Sequence, residues 1–281
     1  MEHDDISVRN TLNELTGAEW LYFTKSILTT AYPSEYGHKL RKAHGANKPP
    51  QLMCQLIEFF TKADGKVLDP FAGVGGTLIG ASICKKPRQA LGIEINQKWL
   101  AIYQQILAES NGSLLPQPCI HGDCLQVLKT LEPASFDFIA TDPPYNIHLE
   151  KTMATERYAS TYTNRRTDYD MRSADPADLA NLADYDAYLD AMEEVFALCS
   201  HVLKPQKYMV VIVRNAYQHG EYMFTHVDLA RRARLHGFIP KGEIIWYQAG
   251  TRLRPYGYPF AYIPNIAHQY IIVLQKPKQF S

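Results

Sequence analysis

Short apolar segments of strand length alternate with helical segments along most of the chain. The apolar segments read, in order, KVLDP, QALGIEI, PCIHGD, FDFIA, YMVVIV, EIIWY and YIIVLQK. Strands that alternate with helices form a mostly parallel sheet with helices on both faces. The last two segments are close enough in sequence to form an antiparallel pair. We therefore predict an α/β chain with a doubly wound, mostly parallel seven-stranded sheet and an antiparallel C-terminal strand pair.

The same periodicity divides the chain into regions. Residues 1–47 show only a weak pattern and are predicted to be an N-terminal extension, whereas residues 48–281 are predicted to form one domain. Two stretches of that domain, at about residues 146–185 and 248–268, lack clear periodicity and contain many tyrosine and arginine residues. Unstructured segments of this length in a compact domain are commonly functional or mobile. We interpret them as inserted recognition loops.

The composition restricts the partners and the compartment. The formal net charge is zero at pH 7, which does not predict a basic tail that binds nucleic acid by charge alone. A local basic face is compatible with this value. The five cysteines contain no CxxC pair and the histidines show no ligand spacing, which predicts neither a disulfide framework nor a metal. No apolar run approaches the roughly 20 residues of a membrane span, and the acidic N-terminus does not resemble a signal peptide. These features predict a cytoplasmic protein with no membrane partner.

A glycine-rich turn follows the first strand of the domain, in the sequence VLDPFAGVGGT (67–77). Gly73, Gly75 and Gly76 allow a tight turn and the close approach of a ligand to the backbone. The turn contains neither the GxGxxG pattern of dinucleotide-binding proteins nor the lysine of a phosphate-binding P-loop. A glycine turn alone is weak evidence of a ligand-binding site. Its acidic neighbours indicate which ligand it could bind.

Those acidic neighbours end successive strands. Asp69 precedes the glycines, Glu94 ends the second strand where a carboxylate can reach ribose hydroxyls, and Asp123 ends the third strand, where it can meet an adenine edge. Ligands of such sheets bind at the carboxyl ends of the strands. An acidic crevice is unsuited to pyrophosphate and suits a ligand with a ribose and a cationic end. S-adenosyl-L-methionine, with its ammonium and sulfonium groups, has this chemistry.

The fourth strand ends in a rigid acidic turn, TDPPYN (141–146). An exocyclic base amine is a poor nucleophile because its lone pair is delocalised into the ring, so a site must accept its hydrogens. Asp142 can accept one hydrogen bond and the Pro143 carbonyl another, while Pro143 and Pro144 restrict the turn. Tyr145 offers a flat face for stacking the base. Such catalysis depends on positioning and electrostatics, with no covalent intermediate.

Together the motifs DPFAGVGG and TDPPYN resemble those of the S-adenosylmethionine-dependent DNA amino-methyltransferases, the DPPY-type N6-adenine/N4-cytosine family. The resemblance extends over roughly residues 44–276 and implies a Rossmann-like methyltransferase fold for the predicted domain. It implies S-adenosyl-L-methionine as cofactor, contacted by Phe71 and, at its methionine end, by Lys48 and Pro49. It also implies double-stranded DNA as substrate, with the target base flipped out of the helix. The aspartate before PPY favours adenine N6 over cytosine N4 as the acceptor.

No long target-recognition domain is visible, so recognition is assigned to the two inserted loops and to other basic residues. The candidate nucleic-acid contacts are Asn146, Arg165, Arg166, Arg252 and Arg254, with tyrosines between the arginines. Further basic candidates are Lys39, Arg41, Lys42, Lys151 and Arg157. A second copy of the chain could extend such a small recognition surface, which leaves a monomer or a homodimer.

Three other functions remain open at this level. The first is methylation of a base amine in RNA, such as tRNA, although such enzymes usually carry an added RNA-binding domain. The second is methylation of a protein glutamine amide, where the motif is normally NPPY. The third is a binding subunit that keeps the fold without catalysis. Neither the recognition sequence nor a partner restriction enzyme can be read from the residues.

Overall fold

The computed structural model describes residues 5–45, 47–144, 173–182 and 184–278. The described strands are β1 (Ile27–Leu28), β2 (Lys66–Asp69), β3 (Gln89–Glu94), β4 (Cys119–His121), β5 (Phe136–Thr141), β6 (Leu203–Val213), β7 (Ala216–Gln218), β8 (Glu221–Met223), β9 (Ile239–Tyr247) and β10 (His268–Gln275). The described helices are α1 (Gly17–Phe23), α2 (His38–Arg41), α3 (Pro50–Phe60), α4 (Gly76–Ile83), α5 (Gln97–Glu109), α6 (Cys124–Leu128), α7 (Tyr185–Val202) and α8 (Thr225–Leu235).

Eight of these strands form one sheet in the order β1-β9-β10-β6-β5-β2-β3-β4. Strands β2 to β6 pair in parallel, and β10 pairs antiparallel with both β6 and β9. The predicted fold class is therefore confirmed, including the antiparallel C-terminal pair. The eighth strand, β1, adds two residues at the edge beside β9 and is too short to show a strand period in the sequence. Strands β7 and β8 form a separate hairpin.

Helices cover both faces of the sheet. Successive strand residues point to opposite sides, so each central strand contributes apolar side chains to both cores. On β2, Val67 belongs to the core beneath α3, α4 and α5, while Leu68 belongs to the core beneath α6, α7 and α8. On β5, Phe138 and Ile139 divide in the same way. The sheet is thus buried on both sides, which accounts for the nearly continuous apolar character of its central strands.

Side-chain caps define where several helices begin. Asn96 accepts a hydrogen bond from the backbone N–H of Lys98 at the start of α5, and Asp184 accepts one from Ala187 at the start of α7. Such caps satisfy backbone donors that the first helical turn leaves free. They also fix the turns that precede these two helices.

The described part of the N-terminal region packs against the sheet domain. Trp20 and Phe23 contact Phe59 of α3, with ring centroids 5.0 and 4.1 Å apart. The division at residue 47 stays a prediction. Within the described residues, no helix is both long enough and apolar enough to cross a lipid bilayer.

One edge of the sheet collects the carboxyl ends of β2 to β6, because these strands are parallel. Strand β9 runs in the same direction as β6, since both pair antiparallel with β10. His268 at the start of β10 is paired with Tyr247 at the end of β9. The connection 248–267 therefore leaves and re-enters the sheet at this same edge.

Candidate active site

Four carboxylates lie at the carboxyl edge of the sheet. Asp69 and Glu94 are the last residues of β2 and β3, and Asp123 and Asp142 closely follow β4 and β5. These strands are neighbours in the sheet, so the four residues predicted from the sequence share one edge. Their side chains nevertheless have different partners and so different roles.

Asp69 joins three parts of the site. Its side chain is 3% exposed and accepts hydrogen bonds from Thr77 Oγ1 (2.5 Å), Thr141 Oγ1 (2.8 Å) and the Phe71 backbone N–H (3.0 Å). Burial raises the pKa of Asp69 to about 6, although these hydrogen bonds oppose the rise, and the nearby charge of Asp142 adds to it. Both carboxylate oxygens are thus used to tie the glycine turn and β5 to β2. The sequence does not show this anchoring role, and direct cofactor contact by Asp69 stays a prediction.

The glycine turn itself needs glycine at more than one position. Gly73 and Gly75 have φ of +53° and +81°, in the region that side chains disfavour. A Cβ on Gly75 would lie 2.2 Å from Cδ2 of the buried Tyr103 ring. Phe71 packs, partly buried, against the core on the other side of the sheet. The turn leads into α4 at Gly76, where a helix N-terminus offers free backbone N–H groups.

Glu94 holds the glycine turn from the neighbouring strand. Its two carboxylate oxygens accept hydrogen bonds from the backbone N–H groups of Gly73 (2.7 Å) and Asn96 (2.8 Å). Burial raises the pKa of Glu94 to about 7, and the carboxylates of Asp178 and Asp69 push it the same way. A carboxylate oxygen has two lone pairs, so each oxygen can still accept a hydroxyl hydrogen bond. The group therefore fits the predicted role of binding a ribose diol.

Asp123 acts as the cap of α6. Its Oδ1 accepts a hydrogen bond from the backbone N–H of Leu125 at 3.0 Å. The turn before it is tied to β3, because Gly122 donates its N–H to the Glu94 carbonyl at 3.0 Å. The adenine contact predicted for Asp123 stays a prediction, whereas the capping hydrogen bond is formed in the structure.

Asp142, at the start of the DPPY turn, is ion-paired with Lys48 through Oδ2. The Lys48 side chain is 5% exposed and that of Asp142 is 17% exposed, so the pair is largely shielded from water. Lys48 lies two residues before α3, and Pro49 is the N-cap of that helix. The family resemblance implies that Lys48 contacts the methionine end of the cofactor. Its contact with the proposed catalytic carboxylate was missed, because nothing in the local sequence relates two residues 94 positions apart.

His44 is a second feature that the sequence did not indicate. The half-buried ring lies against the glycine turn, with Nε2 3.5 Å from the position of a Cβ on Gly73, and it makes an edge contact with Trp99 at 4.7 Å. Burial lowers the pKa of His44 to about 4, and the charges of Lys48 and Lys98 lower it further. The imidazole is therefore neutral at physiological pH. Its buried Nδ1 has no hydrogen-bond partner among the described residues.

The described end of the first inserted loop and helix α7 each contribute a buried residue near the crevice. Asp178 is buried, and its charge contributes to the raised pKa of Glu94. Tyr188 on α7 is buried, and its hydroxyl has no hydrogen-bond partner within the described part of the chain. Burial raises the pKa of Tyr188, and the charges of Tyr185 and Asp142 add to this effect. Neither Asp178 nor Tyr188 was singled out from the sequence.

The second inserted loop presents arginine and aromatic side chains to solvent at the same sheet edge. Arg252 is exposed and Arg254 is half-buried. Tyr258, Phe260 and Tyr262 are exposed by 77%, 92% and 87%. Exposed aromatic rings beside cationic groups are the components of a surface that stacks bases and contacts phosphates.

The remaining nucleic-acid candidates fall into three groups. Asn146, Arg165, Arg166, Lys151 and Arg157 lie outside the described residues, as does Tyr145, the predicted base-stacking residue. Lys39 and Lys42 are exposed. Arg41 is 2% exposed and donates hydrogen bonds to the carbonyls of Tyr36, Glu35 and Lys48 and to Asn47 Oδ1. A phosphate contact by Arg41 is therefore wrong. The buried guanidinium instead fixes the segment that carries Lys48.

A sequence model of the N6/N4 group, described as DNA methylase, matches residues 3–105 and 136–281. The chain belongs to the DNA methylase family. Membership confirms the resemblance read from the two motifs, and S-adenosyl-L-methionine is the cofactor of this family, as predicted. Among curated proteins, none matches the chain significantly.

Solved structures similar to this DNA methylase family member include TrmN from Thermus thermophilus. That likeness has 14% identity and a TM-score of 0.52, and it covers 85% of this chain and 53% of that one. A second protein of Thermus thermophilus, TTHA0409, described as a DNA modification methylase, is 25% identical over 57% of this chain and 53% of its own, with a TM-score of 0.37. Its complex with S-adenosyl-L-methionine matches at 24% identity and a TM-score of 0.38, over 57% and 55% of the two chains. The chain spans about half the length of these structures, and the TrmN match supports the Rossmann-like fold.

Proposed function

We propose that this chain transfers a methyl group from S-adenosyl-L-methionine to an exocyclic base amine of double-stranded DNA, with adenine N6 favoured over cytosine N4. The observation that carries the proposal is the position of Asp142. Its carboxylate follows β5 at the edge where the Asp69-anchored glycine turn lies, and the buried Lys48 ammonium holds it there. The proline turn and the ion pair both restrict this carboxylate before any substrate arrives.

The chemistry requires acceptors for the amine hydrogens. The Asp142 carboxylate accepts one N–H hydrogen bond and the Pro143 carbonyl accepts the other, which orients the nitrogen toward the methyl donor. The bound cofactor supplies an electrophilic methyl group on a sulfonium. The new N–C bond would form as the methyl–sulfur bond breaks and leaves a neutral thioether, and the Asp142 carboxylate would accept the amine proton that is then lost. Lys48 acts by positioning Asp142, because an ammonium has no acceptor lone pair for the amine hydrogens.

The crevice also has acidic groups suited to a cationic cofactor, whose positive charge would favour their ionised form. Asp69, Glu94 and Asp178 are buried acidic groups, while the positive charge of Lys48 is paired with Asp142. We assign the ribose to Glu94, whose oxygens keep free lone pairs, and the adenosyl group to the turn containing Phe71. The methionine end is assigned to the α4 N-terminus and to the segment Lys48–Pro49. The adenine contact of Asp123 belongs to the same assignment.

DNA contact is assigned to the loop 248–268 and to the residues of the first inserted loop. Arg252 and Arg254 would contact phosphates, and the exposed rings between residues 256 and 262 would stack on bases. Taking the target base out of the duplex costs a few kcal/mol, which stacking in the pocket offsets. Tyr145 and Asn146, which adjoin the proline turn in sequence, are proposed to line that pocket. A cytoplasmic location and a monomeric or homodimeric state accompany this proposal as predictions.

The test is to incubate the chain with methyl-labelled cofactor and, in parallel, unmodified duplex DNA, total tRNA and a protein extract. We expect label in DNA, and N6-methyladenine after digestion to nucleosides. Label recovered as N4-methylcytosine would show that the acceptor is cytosine N4 and not adenine N6. Label only in tRNA would replace the proposal with the RNA alternative, and label only in protein with the glutamine alternative.

The catalytic assignment is tested by Asp142→Ala, with Asp190→Asn as the control. Asp190 is an exposed carboxylate on α7 that pairs with Arg232, far from the proline turn in sequence. Loss of a positioned acceptor commonly costs about a hundredfold or more in rate. We expect that loss for Asp142→Ala with cofactor binding largely kept, and full activity for the control. Full activity of Asp142→Ala would remove Asp142 from the mechanism.

A further inference from the structure

Helices α3 and α4 approach each other closely on one face of the sheet. A Cβ on Gly80 of α4 would lie 2.7 Å from Met53 Cβ and 3.0 Å from the Cys54 backbone N. Only a residue without a side chain fits at this contact, so the two helices are held at short range. Such proximity brings side chains that are far apart in sequence into one cluster.

Three potential metal ligands meet beside this contact. Cys54 and Glu58 are four residues apart on α3 and therefore lie on one helix face. Cys84 follows the last residue of α4. The two sulfur atoms and a carboxylate oxygen lie within 4.8 Å of one another.

These separations are close to those of a metal site. A tetrahedral zinc ion with bonds of about 2.3 Å to sulfur and about 2.1 Å to oxygen places its ligand atoms about 3.5–3.8 Å apart. The cluster therefore needs to contract by about an ångström at most, which rotation of the side chains can supply. Cys84 is buried, whereas Cys54 and Glu58 are half-buried, so one side of the cluster can admit an ion and a water molecule.

The surroundings also suit a bound cation with thiolate ligands. Glu58 Oε1 accepts a hydrogen bond from the Lys85 backbone N–H at 2.6 Å, which orients the carboxylate and leaves its other oxygen for the metal. Two thiolates and one carboxylate around a divalent ion leave a net charge of minus one. The neighbouring Cys54 and burial raise the pKa of the Cys84 thiol, and the charge of Arg88 opposes this rise, so a bound cation has to displace the thiol protons.

We propose that Cys54, Glu58 and Cys84 bind one zinc ion, with a water molecule as the fourth ligand, and that this ion links α3 to α4. Two Zn–S bonds and one Zn–O bond form, the two S–H bonds break, and both protons pass to solvent. Zinc fits this mixed thiolate and carboxylate set, whereas magnesium and calcium prefer oxygen ligands alone. The site is separate from methyl transfer, but the helices it links begin at Pro49–Pro50 and at the glycine turn. The proposal departs from the prediction of no metal, because ligands on two helices leave no short spacing in the sequence.

The probe is Co²⁺, which reports its ligands by absorption. The chain is kept reduced, stripped of metal with a chelator, and titrated with Co²⁺. We expect saturation at one ion per chain, with a near-ultraviolet thiolate-to-cobalt band and the visible bands of tetrahedral cobalt, all abolished by added Zn²⁺. Saturation without a thiolate band would overturn the proposal.

Matched variants distinguish this site from adventitious binding. Cys84→Ser and Glu58→Gln should each weaken Co²⁺ affinity by more than about tenfold, since loss of even an outer partner of a metal ligand commonly costs that much. Cys119→Ser, which removes a half-buried thiol elsewhere in the sheet, should leave the affinity unchanged. Zn²⁺ should raise the unfolding temperature of the parent and of Cys119→Ser but not of Cys84→Ser. Equal Co²⁺ affinity in the parent and Cys84→Ser would show that the cluster is not the site, whatever the methyl-transfer activity.

Discussion

The Lys48–Asp142 ion pair makes a quantitative prediction about the stability of the chain. At a charge-assisted contact of about 2.8 Å and an effective dielectric constant of about 20, the two charges attract by about 6 kcal/mol. Desolvation of each ion costs several kcal/mol, so the intact pair contributes little net stability. Removing one partner is different, because the other charge then stays buried. Such losses are about 3–5 kcal/mol for buried pairs.

We expect Lys48→Met to lower the free energy of unfolding by about 3 kcal/mol, at the low end because water reaches the 17% exposed Asp142. Asp142→Asn should cost about 2 kcal/mol, since its amide oxygen still accepts a hydrogen bond. The double variant should lose less than the sum, with a coupling energy of about 2 kcal/mol. The assay is urea unfolding of the cofactor-free chain, with the m-value compared across the four proteins.

A matched control is the Lys204–Asp137 pair, which has an N–O distance of 2.8 Å and a lysine 39% exposed. Lys204→Met should cost less than about 1 kcal/mol, as exposed ion pairs usually do. If Lys48→Met costs no more than Lys204→Met, or if the losses at Lys48 and Asp142 simply add, the reasoning from burial is refuted.

Three further predictions concern the pH response, the glycine turn and the DNA-facing loop. Burial raises the pKa of Asp69 from 3.8 to about 6, so the folded chain holds this proton more tightly than the unfolded chain. The free energy of unfolding should then fall by about 3 kcal/mol as the pH rises from about 3 to 7, and an Asp69→Asn variant should lack that part of the slope in pH-dependent urea melts. Gly75→Ala should destabilise the chain by roughly 2–5 kcal/mol in thermal or urea unfolding, because it adds a clash with a buried ring to the cost of positive φ. Gly112→Ala, where φ is positive and the space is open, should cost only about 1–2 kcal/mol, and equal losses would contradict the clash. Arg252→Ala should weaken duplex DNA binding and lower the slope of log K against log salt by about one, measured by fluorescence anisotropy, while Arg231→Ala on the exposed face of α8 should change neither.

Much of the fold could be read from the residues because its signals are local. The alternation at Val67 and Leu68, and at Phe138 and Ile139, reflects strands buried on both faces. The acidic residues at strand ends were predicted to share one edge from a single rule, that parallel strands end on the same side. By contrast, β1 was missed, because its two residues are positioned by pairing with β9 rather than by their own pattern.

The candidate site was predictable in its outline and not in its contacts. The motifs identified Asp142, Asp69 and Glu94 as acids near the glycine turn. They did not distinguish a carboxylate that anchors a turn, such as Asp69, from one that faces a substrate. Arg41 was expected at the surface because arginine usually is, but four hydrogen-bond acceptors around it satisfy a buried guanidinium.

The amino-acid sequence by itself determined the succession of strands and helices along the chain, the family, and the edge at which chemistry is expected, since these depend on periodicity and on short contiguous motifs. Only the tertiary structure decided that Lys48 pairs with Asp142, that the His44 ring covers the glycine turn, and that Cys54, Glu58 and Cys84 meet. Each of these contacts joins residues that are distant along the chain or lie on different elements. Their distances follow from strand order and helix packing, which no local pattern encodes.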